Sequence, residues 1–536
     1  MRTNVKFTHF LFLIPIIPLL VLKDYSYHWD GIDYAWQLEH VPFPYLFHQH
    51  HLIFTPFMKI LFLGISSFGL KIRSLDFMIF VNIVVGIFYL VICYFLLKRI
   101  FKDKQYIALI GISFITLSYT FGTYWRNVDA YMIPLAIITF ILYRVVRFDS
   151  QPLKVDLFDW FLLLLATIFH QTSILILPAL IFAQYNSFSQ KRIARLTAVV
   201  TGFFISLAGL YLLVYYSMSP HITHKSFFKW IRGYAAEDYW IFSKYHGTGR
   251  ILYQSLRESV ISHRVLFLAP VKSQLIFSDE KVLYGHFSFF IFLGWFIFFL
   301  IACAIIYGAV RLLLNPKSRM HAIFLITWIL PFLVLFQVYS TDNSFYRMLY
   351  LLPLVIFFMT ALTHFMKTRI DRTSSAIFLM GFILFNLIFG FIPESNAISN
   401  PTLTYAKEVE ESTSPRDLFI FSPSPDYHPK VYLEYFTDRD VFTIRHLPSS
   451  ERSTLSDEQL KALCNQSRKW LMDNYNNFYF SRGVTNYSMD YMQISTLDQN
   501  KKLPELLILD MSQIKFIDVI EIGTYPFNHA EILEYK

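Results

Sequence analysis

Ten apolar runs, separated by short polar or basic stretches, fill most of the chain: 7–22, 75–98, 106–123, 129–147, 158–183, 196–217, 286–313, 321–339, 346–366 and 374–392. Several approach the roughly 20 residues that cross a bilayer as a helix. Backbone groups inside lipid must bond within their own segment, so runs of this kind fold as helices. The composition agrees, with 55% of residues hydrophobic and 16% charged, where a soluble domain carries about 25% charged residues. The 57 Phe and 34 Tyr exceed the needs of one soluble core. The run 7–22 has the apolar length of a signal peptide. It lacks a small-residue cleavage site and is followed by many more runs, so it reads as a first span.

The net charge of +9 divides unevenly. Residues 393–536 hold 14 Lys and Arg against 21 Asp and Glu, a net of −7, which leaves +16 on residues 1–392. Basic residues placed between apolar runs set membrane orientation, and no nucleic-acid partner is expected. Arg2 and Lys6 put the N-terminus in the cytoplasm. The clusters Lys98–Lys104, Arg144–Lys154, Lys191–Arg195, Arg311–Arg319 and Lys367–Arg372 then share that side only if 158–183 is a hairpin of two short helices, broken near His170–Gln171. The hairpin places 18 basic residues inside, against six in the outer segments between the spans with 218–286 left out: Lys23, Lys59, Lys71, Arg73, Arg126 and Arg347. Eleven crossings are expected, with the N-terminus in and the C-terminus out. Helices of about 12 residues cannot span lipid alone and should pack within the bundle.

Three outer segments follow: 23–74, 218–286 and the tail from Pro393. Within the first, 51–70 is amphipathic and suits the membrane interface. The tail alternates strand-like segments (417–423, 441–447, 477–482, 505–511, 516–523) with a helical one, Ser456 to Asn474, for which Ser456 is a plausible N-cap. No Gly-rich phosphate loop follows any strand. The fold class is thus a polytopic α-helical membrane protein with a small C-terminal α/β extracytoplasmic domain, residues 1–392 and 393–536. Cys93 and Cys303 lie in apolar runs and Cys464 alone lies in the tail, so no disulfide is expected there.

The richest polar segment is YHWDGIDYAWQLEHVPFPYLFHQHHLIFTPF, 27–57. Asp30 and Asp33 just beyond a span suit a general base on a hydroxyl, or a metal bridging a phosphate; a plain pair of interface acids is the alternative. His48, His50 and His51 suit contact with phosphate or sugar, or a metal, or a purely polar role beside aromatic anchors. In YWRNVDAYMIP, 124–134, Arg126 and Asp129 either meet substrate or pair with each other to close a turn. His170–Gln171 either contacts substrate or bonds a neighbouring helix. Arg347 either clamps a phosphate or snorkels to lipid headgroups.

These segments together resemble the GT-C superfamily of multi-span glycosyltransferases, in particular bacterial relatives of the protein O-mannosyltransferases. The resemblance lies in DGID (30–33) running on to HHLIFTPF (50–57), in SYTFGTYWRNVDAYMIPL (118–135), in FHQTSILILP (169–178) and in DNSFYRMLYLLP (342–353), with 405–441 similar to the start of an outer domain. Asp33 stands where relatives often carry Glu. The resemblance implies a hexosyl- or mannosyltransferase-like enzyme of the bacterial inner membrane. It would take a sugar from a polyprenyl-phosphate donor to an acceptor hydroxyl on a protein, glycan or glycolipid. Asp30 would be the base. Asp33 or Asp129 would position the acceptor or a divalent cation, Mg or Mn. Arg347, Arg126, His50, His51 and His170 would contact the donor phosphate or substrate. A flippase for lipid-linked glycans is the competing reading. It would need many spans but no large outer domain, and transporters often carry paired broken helices where this chain shows one.

Overall fold

A computed structural model describes residues 14–535 apart from 103, 149–152, 188–191, 218–225, 233–255, 258, 263–279, 339–344, 398–399, 422–426, 448–451, 453, 481–490, 496–506, 511–515 and 522–530. Contacts divide the chain into two units. The first is Met1–Asp24, Pro44–Leu268 and Leu283–Ser395; the second is Tyr25–Phe43, Ala269–Val282 and Asn396–Lys536.

The first unit is helical. Among the described residues, five helices are long and apolar enough to cross a membrane: Ser74–Ile100, Ile193–Ser217, Phe292–Leu314, Met348–Phe365 and Ile370–Glu394. Phe54–Ser67, Tyr106–Leu117, Met132–Val145, Leu157–Phe169 and Arg319–Leu335 are apolar but shorter. The chain is an integral membrane protein. The expected count of eleven crossings includes these shorter helices and the run 7–22, of which 7–13 lie outside the described residues and Ile17–Val21 is helical. Most of the second outer segment, 218–286, also lies outside them.

The break expected at His170 is present. Helix Leu157–Phe169 starts from a capping box in which the Asp156 carboxylate accepts from the Asp159 N–H and the Asp159 carboxylate accepts from the Asp156 N–H. It stops because His170 is extended (φ −155°, ψ 121°), and a 3-10 turn, Gln171–Ile176, leads into helix Leu177–Ser187. Trp160 Nε1 donates to Gln184 Oε1 at 2.9 Å, joining the start of one leg to the far end of the other. The two legs therefore run back along each other.

The run 106–123 differs from its expected single helix. It divides into Gln105–Leu117 and Tyr119–Tyr124 at an extended Ser118 (ψ 139°). The Tyr119 N–H leaves the helical ladder for the Val260 carbonyl at 3.1 Å, and the freed Leu117 carbonyl accepts from Asn386 Nδ2 at 2.8 Å. Asn386 also donates to Val260 and accepts from the Ser262 N–H, both under 3 Å. One buried amide thus ties the Val260–Ser262 turn into the helical unit. The last long helix widens into a π-helical turn, Leu387–Phe391, whose Phe389 carbonyl accepts the Ser262 hydroxyl at 2.9 Å.

The second unit is an α/β domain. Its strands are β1 (Leu418–Phe421), β2 (Asp440–His446), β3 (Phe478–Phe480), β4 (Tyr491–Ser495), β5 (Leu507–Asp510), β6 (Phe516–Glu521) and β7 (Glu531–Tyr535), in the order β5-β4-β2-β1-β3-β7-β6. β1, β2 and β3 are parallel and the outer pairs antiparallel. Helix Asp457–Asn474 begins at Ser456, as expected, with Gln459 completing the capping box, and its Leu471 packs on one sheet face with Ile420 and Phe442. Tyr405 and Val409 of helix Pro401–Ser412, and Leu433 of helix Tyr427–Phe436, cover the other face against Phe419 and Tyr479. Five of the strands match the expected segments; β4 and β7 do not, because Gln493 and Ser495, and Glu531 and Glu534, interrupt their apolar residues.

Tyr25–Phe43 belongs to this second unit rather than to residues 1–392 as expected. The Tyr432 hydroxyl donates to the Tyr27 carbonyl at 2.6 Å, Asn400 Nδ2 donates to the Tyr25 carbonyl at 2.7 Å, and Tyr27 stacks on Phe436.

Close packing in the first unit gives a controlled test. A Cβ at Gly308 would run into the Phe357 carbonyl of the facing helix, whereas one at Gly202 would meet nothing within 4 Å. Overpacking costs about 1–3 kcal/mol. Gly308→Val should lower the unfolding temperature of the detergent-solubilised protein, and Gly202→Val should leave it in place.

Candidate active site

Within the first unit, the segment after Phe47 folds back on the His170 break. The Gln171 N–H donates to the His50 carbonyl at 2.9 Å, Gln171 Nε2 bonds His50 Nδ1, and the Ile53 N–H donates to the Ile168 carbonyl at 3.2 Å. This sets four imidazoles in a row. Centroids are 5.2 Å apart for His50–His48, 4.2 Å for the stacked His48–His51 and 6.3 Å for His51–His170. Tyr131 continues the row at 4.0 Å from His170, and Tyr346 lies 5.3 Å beyond it. The Thr172 hydroxyl holds His170 Nδ1 at 2.7 Å.

Burial is the largest influence on these rings. It pushes His48, His50 and His51 below the ordinary histidine range, well below for His48 and His51, and repulsion between the rings adds to it for those two. Gln171 partly offsets it at His50. The row is therefore neutral at pH 7 and offers hydrogen bonds without charge.

A cavity of about 440 Å³ adjoins the row. Gln171, Thr172 and Tyr211 provide its polar wall, and Phe204, Leu207 and Phe227 are among its apolar lining. The Tyr211 hydroxyl donates to the Gln49 carbonyl at 2.9 Å, so the cavity wall and the histidine segment share bonds.

Arg347 is 1% exposed and starts helix Met348–Phe365 next to Tyr346. Its guanidinium also hydrogen-bonds Tyr350. It points into protein, and the headgroup-snorkelling alternative gives way to a buried cation.

The 124–134 turn separates two roles that the sequence left together. Arg126 lies 3.6 Å from Glu394 and 3.9 Å from Asp24, and donates to the carbonyls of Gly122 at 2.6 Å and Leu22 at 2.7 Å. Glu394 also accepts from Tyr119 at 2.9 Å and Thr123 at 3.0 Å. Arg126 thus ties the end of the first run, this turn and the end of the last long helix together. Asp129 accepts from the Ala130 N–H at 2.6 Å, and burial raises its carboxyl to about 8. Asn82, deep in helix Ser74–Ile100, holds the turn by donating to the Asn127 carbonyl at 2.7 Å. Asn82, Asn386 and Glu394 escaped the sequence reading. The available signal was an isolated Asn within an apolar run, which inside a bundle must find a partner.

Asp30 and Asp33 sit in the second unit, on helix Trp29–His40. Three residues apart, they share one helical face. Asp33 accepts from Gln37 at 2.7 Å, and Asp30 lies 3.5 Å from His28 Nδ1. Among the described residues, no group of three His, Cys, Asp or Glu is placed to hold a metal. Two carboxylates on one face still suit Mg, which commonly takes one or two from protein and the rest from water and substrate phosphate.

No protein-family model matches the sequence, and no curated protein sequence matches it. Solved structures do. ArnT from Cupriavidus metallidurans bound to undecaprenyl phosphate superposes with a TM-score of 0.56 at 10% identity, over 99% of this chain and 98% of that one. The apo form of the same protein gives 0.53 at 10% identity, over 90% and 95%. The likeness is one of fold, and the GT-C fold implied by the sequence segments is the fold this chain adopts.

Two outcomes check the turn. Asp129 has a folded pKa raised above its unfolded value, so its contribution to stability is full below about 4 and lost as pH rises through about 8. Asp129→Asn should therefore gain unfolding temperature relative to the parent, with a much larger gain at pH 9 than at pH 5. Arg126→Met leaves two buried acids without their cation and should destabilise by about 3–5 kcal/mol, read in the same unfolding experiment.

Proposed function

We propose that the protein is a glycosyltransferase that moves a sugar from a polyprenyl-phosphate donor to an acceptor hydroxyl on the extracytoplasmic face of a membrane, the bacterial inner membrane in the first instance. The observation that carries this is the imidazole row of the first unit, adjoined through Gln171 and Thr172 by an apolar cavity, together with a buried Arg347, in a chain with the fold of ArnT. A cation and neutral donors in a dry setting suit a phosphate, and the apolar cavity suits the first isoprene units of a lipid. ArnT itself has been seen with undecaprenyl phosphate bound.

In this reading Arg347, with His50, His51 and His170, receives the donor phosphate. Arg126 acts by fixing the turn that carries Asp129 and Tyr131. Asp30 takes the proton of the acceptor hydroxyl, whose oxygen attacks the anomeric carbon with inversion. Asp33 positions the acceptor. A Mg or Mn ion on Asp30 and Asp33 would supply charge neutralisation toward the phosphate when bound. The acceptor is a protein, a glycan or a glycolipid. The N-terminus lies in the cytoplasm and the C-terminal domain outside.

Incubating the purified protein with a panel of polyprenyl-phosphate sugars and a membrane extract tests the reading. The parent should consume one donor, and Asp30→Asn should lose transfer by about 10²–10⁴-fold while inserting and unfolding like the parent. Consumption of no donor, together with movement of labelled lipid-linked glycan between leaflets of liposomes, would replace the transferase with a flippase.

A further inference from the structure

The histidine row contains more imidazoles than phosphate recognition alone requires. Four rings stand in sequence at 5.2, 4.2 and 6.3 Å, and a cavity wall of Gln171, Thr172 and Tyr211 is bonded to the same segment. The titratable and charged groups on the elements packed here are His48, His50 and His51 on the folded-back segment, His170 on the break, Tyr211 on helix Arg192–Ser217, Tyr131 with Asp129 on the turn, and Tyr346 with Arg347 at the start of helix Met348–Phe365. Burial keeps the rings of the folded-back segment neutral, and repulsion between neighbours opposes placing two charges on the row. The row is built to accept a single proton when an anion arrives to stabilise it.

Charge balance in sugar transfer supplies such an anion. A sugar-loaded lipid phosphate is a diester with one negative charge. On transfer, the bond from the anomeric carbon to the phosphate oxygen breaks, and its electron pair stays on that oxygen. The acceptor oxygen bonds the anomeric carbon and its proton leaves. The lipid phosphate becomes a monoester, which carries about −1.5 to −2 near pH 7 because its second pKa is about 6. Each turnover therefore adds one negative charge at the phosphate and releases one proton.

We propose that the His48–His50–His51–His170 row is a proton-accepting phosphate receptor: one imidazole takes up a proton as the lipid phosphate becomes a monoester, so the site binds the lipid phosphate product with proton uptake and the sugar-loaded diester without it. The inference rests on the proposed polyprenyl-phosphate donor and adds to it how the new charge is met. Charge on the protein then appears only as charge develops on the leaving group, which is where it lowers a barrier.

Titration calorimetry on the purified full chain distinguishes the cases. Undecaprenyl phosphate, and a hexose diester of the same lipid, are titrated between pH 7 and 8.5 in buffers of different ionisation heat. The monoester affinity should fall about tenfold per pH unit, with uptake of about one proton, while the diester affinity stays flat. His51→Gln combined with His170→Gln should remove the slope and the uptake for the monoester. Monoester binding without uptake by the parent overturns the proposal and leaves the donor reading standing, even where the double variant fails to fold. Uptake that persists in a folded double variant overturns it too. Failure of both lipids to bind overturns the donor reading and the inference with it.

Discussion

Polar backbone released inside an apolar helical unit has no solvent to bond, and meeting that demand organises the first unit. Ser118 and His170 each interrupt a helix. At the first break, Asn386 takes the freed Leu117 carbonyl and Val260 accepts the Tyr119 N–H. At the second, the His50 carbonyl accepts from Gln171, while the His170 ring accepts from the Thr172 N–H at 3.3 Å. Each break is closed by a segment that arrives from elsewhere in the chain. The cost of interrupting a helix thus fixes where the segments around His50 and Val260 enter the first unit, and the histidine row is a consequence of the first of these.

Electrostatics divides labour between two of the arginines buried in the first unit, Arg126 and Arg347. Arg126 faces two carboxylates and several carbonyls, an arrangement that holds three chain segments and spends its donors on protein. Arg347 stands beside Tyr346 and Tyr350, and Tyr346 packs on Tyr131, which packs on His170 of an imidazole row whose other members burial keeps uncharged. Arg126, matched by Asp24 and Glu394, is committed to holding these segments. The same logic raises the Asp129 carboxyl, which sits where desolvation outweighs its bond from Ala130.

Much of the candidate site was legible in the sequence because it departs from the apolar background. Asp129 and Arg347 stand at the edges of apolar runs, His170 within one, and His50 and His51 in the polar segment 23–74, and the structure places all five in the first unit. Their neighbours were not legible. Asn82 and Asn386 sit within runs and are single residues, and only the geometry of the Asn127–Asp129 turn and of the Ser118 break shows what they hold. Membership of the second unit was equally hidden for Asp30 and Asp33. Tyr27, on the same segment, is tied to Tyr432, which lies some four hundred residues away in the chain.

Apolar length determined the membrane character and the helical first unit, because burial in lipid acts on each segment by itself, and the sidedness of the basic clusters pointed to the break at His170. Alternation determined five strands of the tail, since a strand core face is written locally. Tertiary structure decided which segments close the breaks, that Arg126 is matched by Asp24 and Glu394, that Tyr25–Phe43 packs with the α/β unit, and that four histidines from two segments form one row. Those outcomes depend on contacts between residues far apart in the chain, and no local pattern of hydropathy or spacing encodes which distant partner a buried polar group will find.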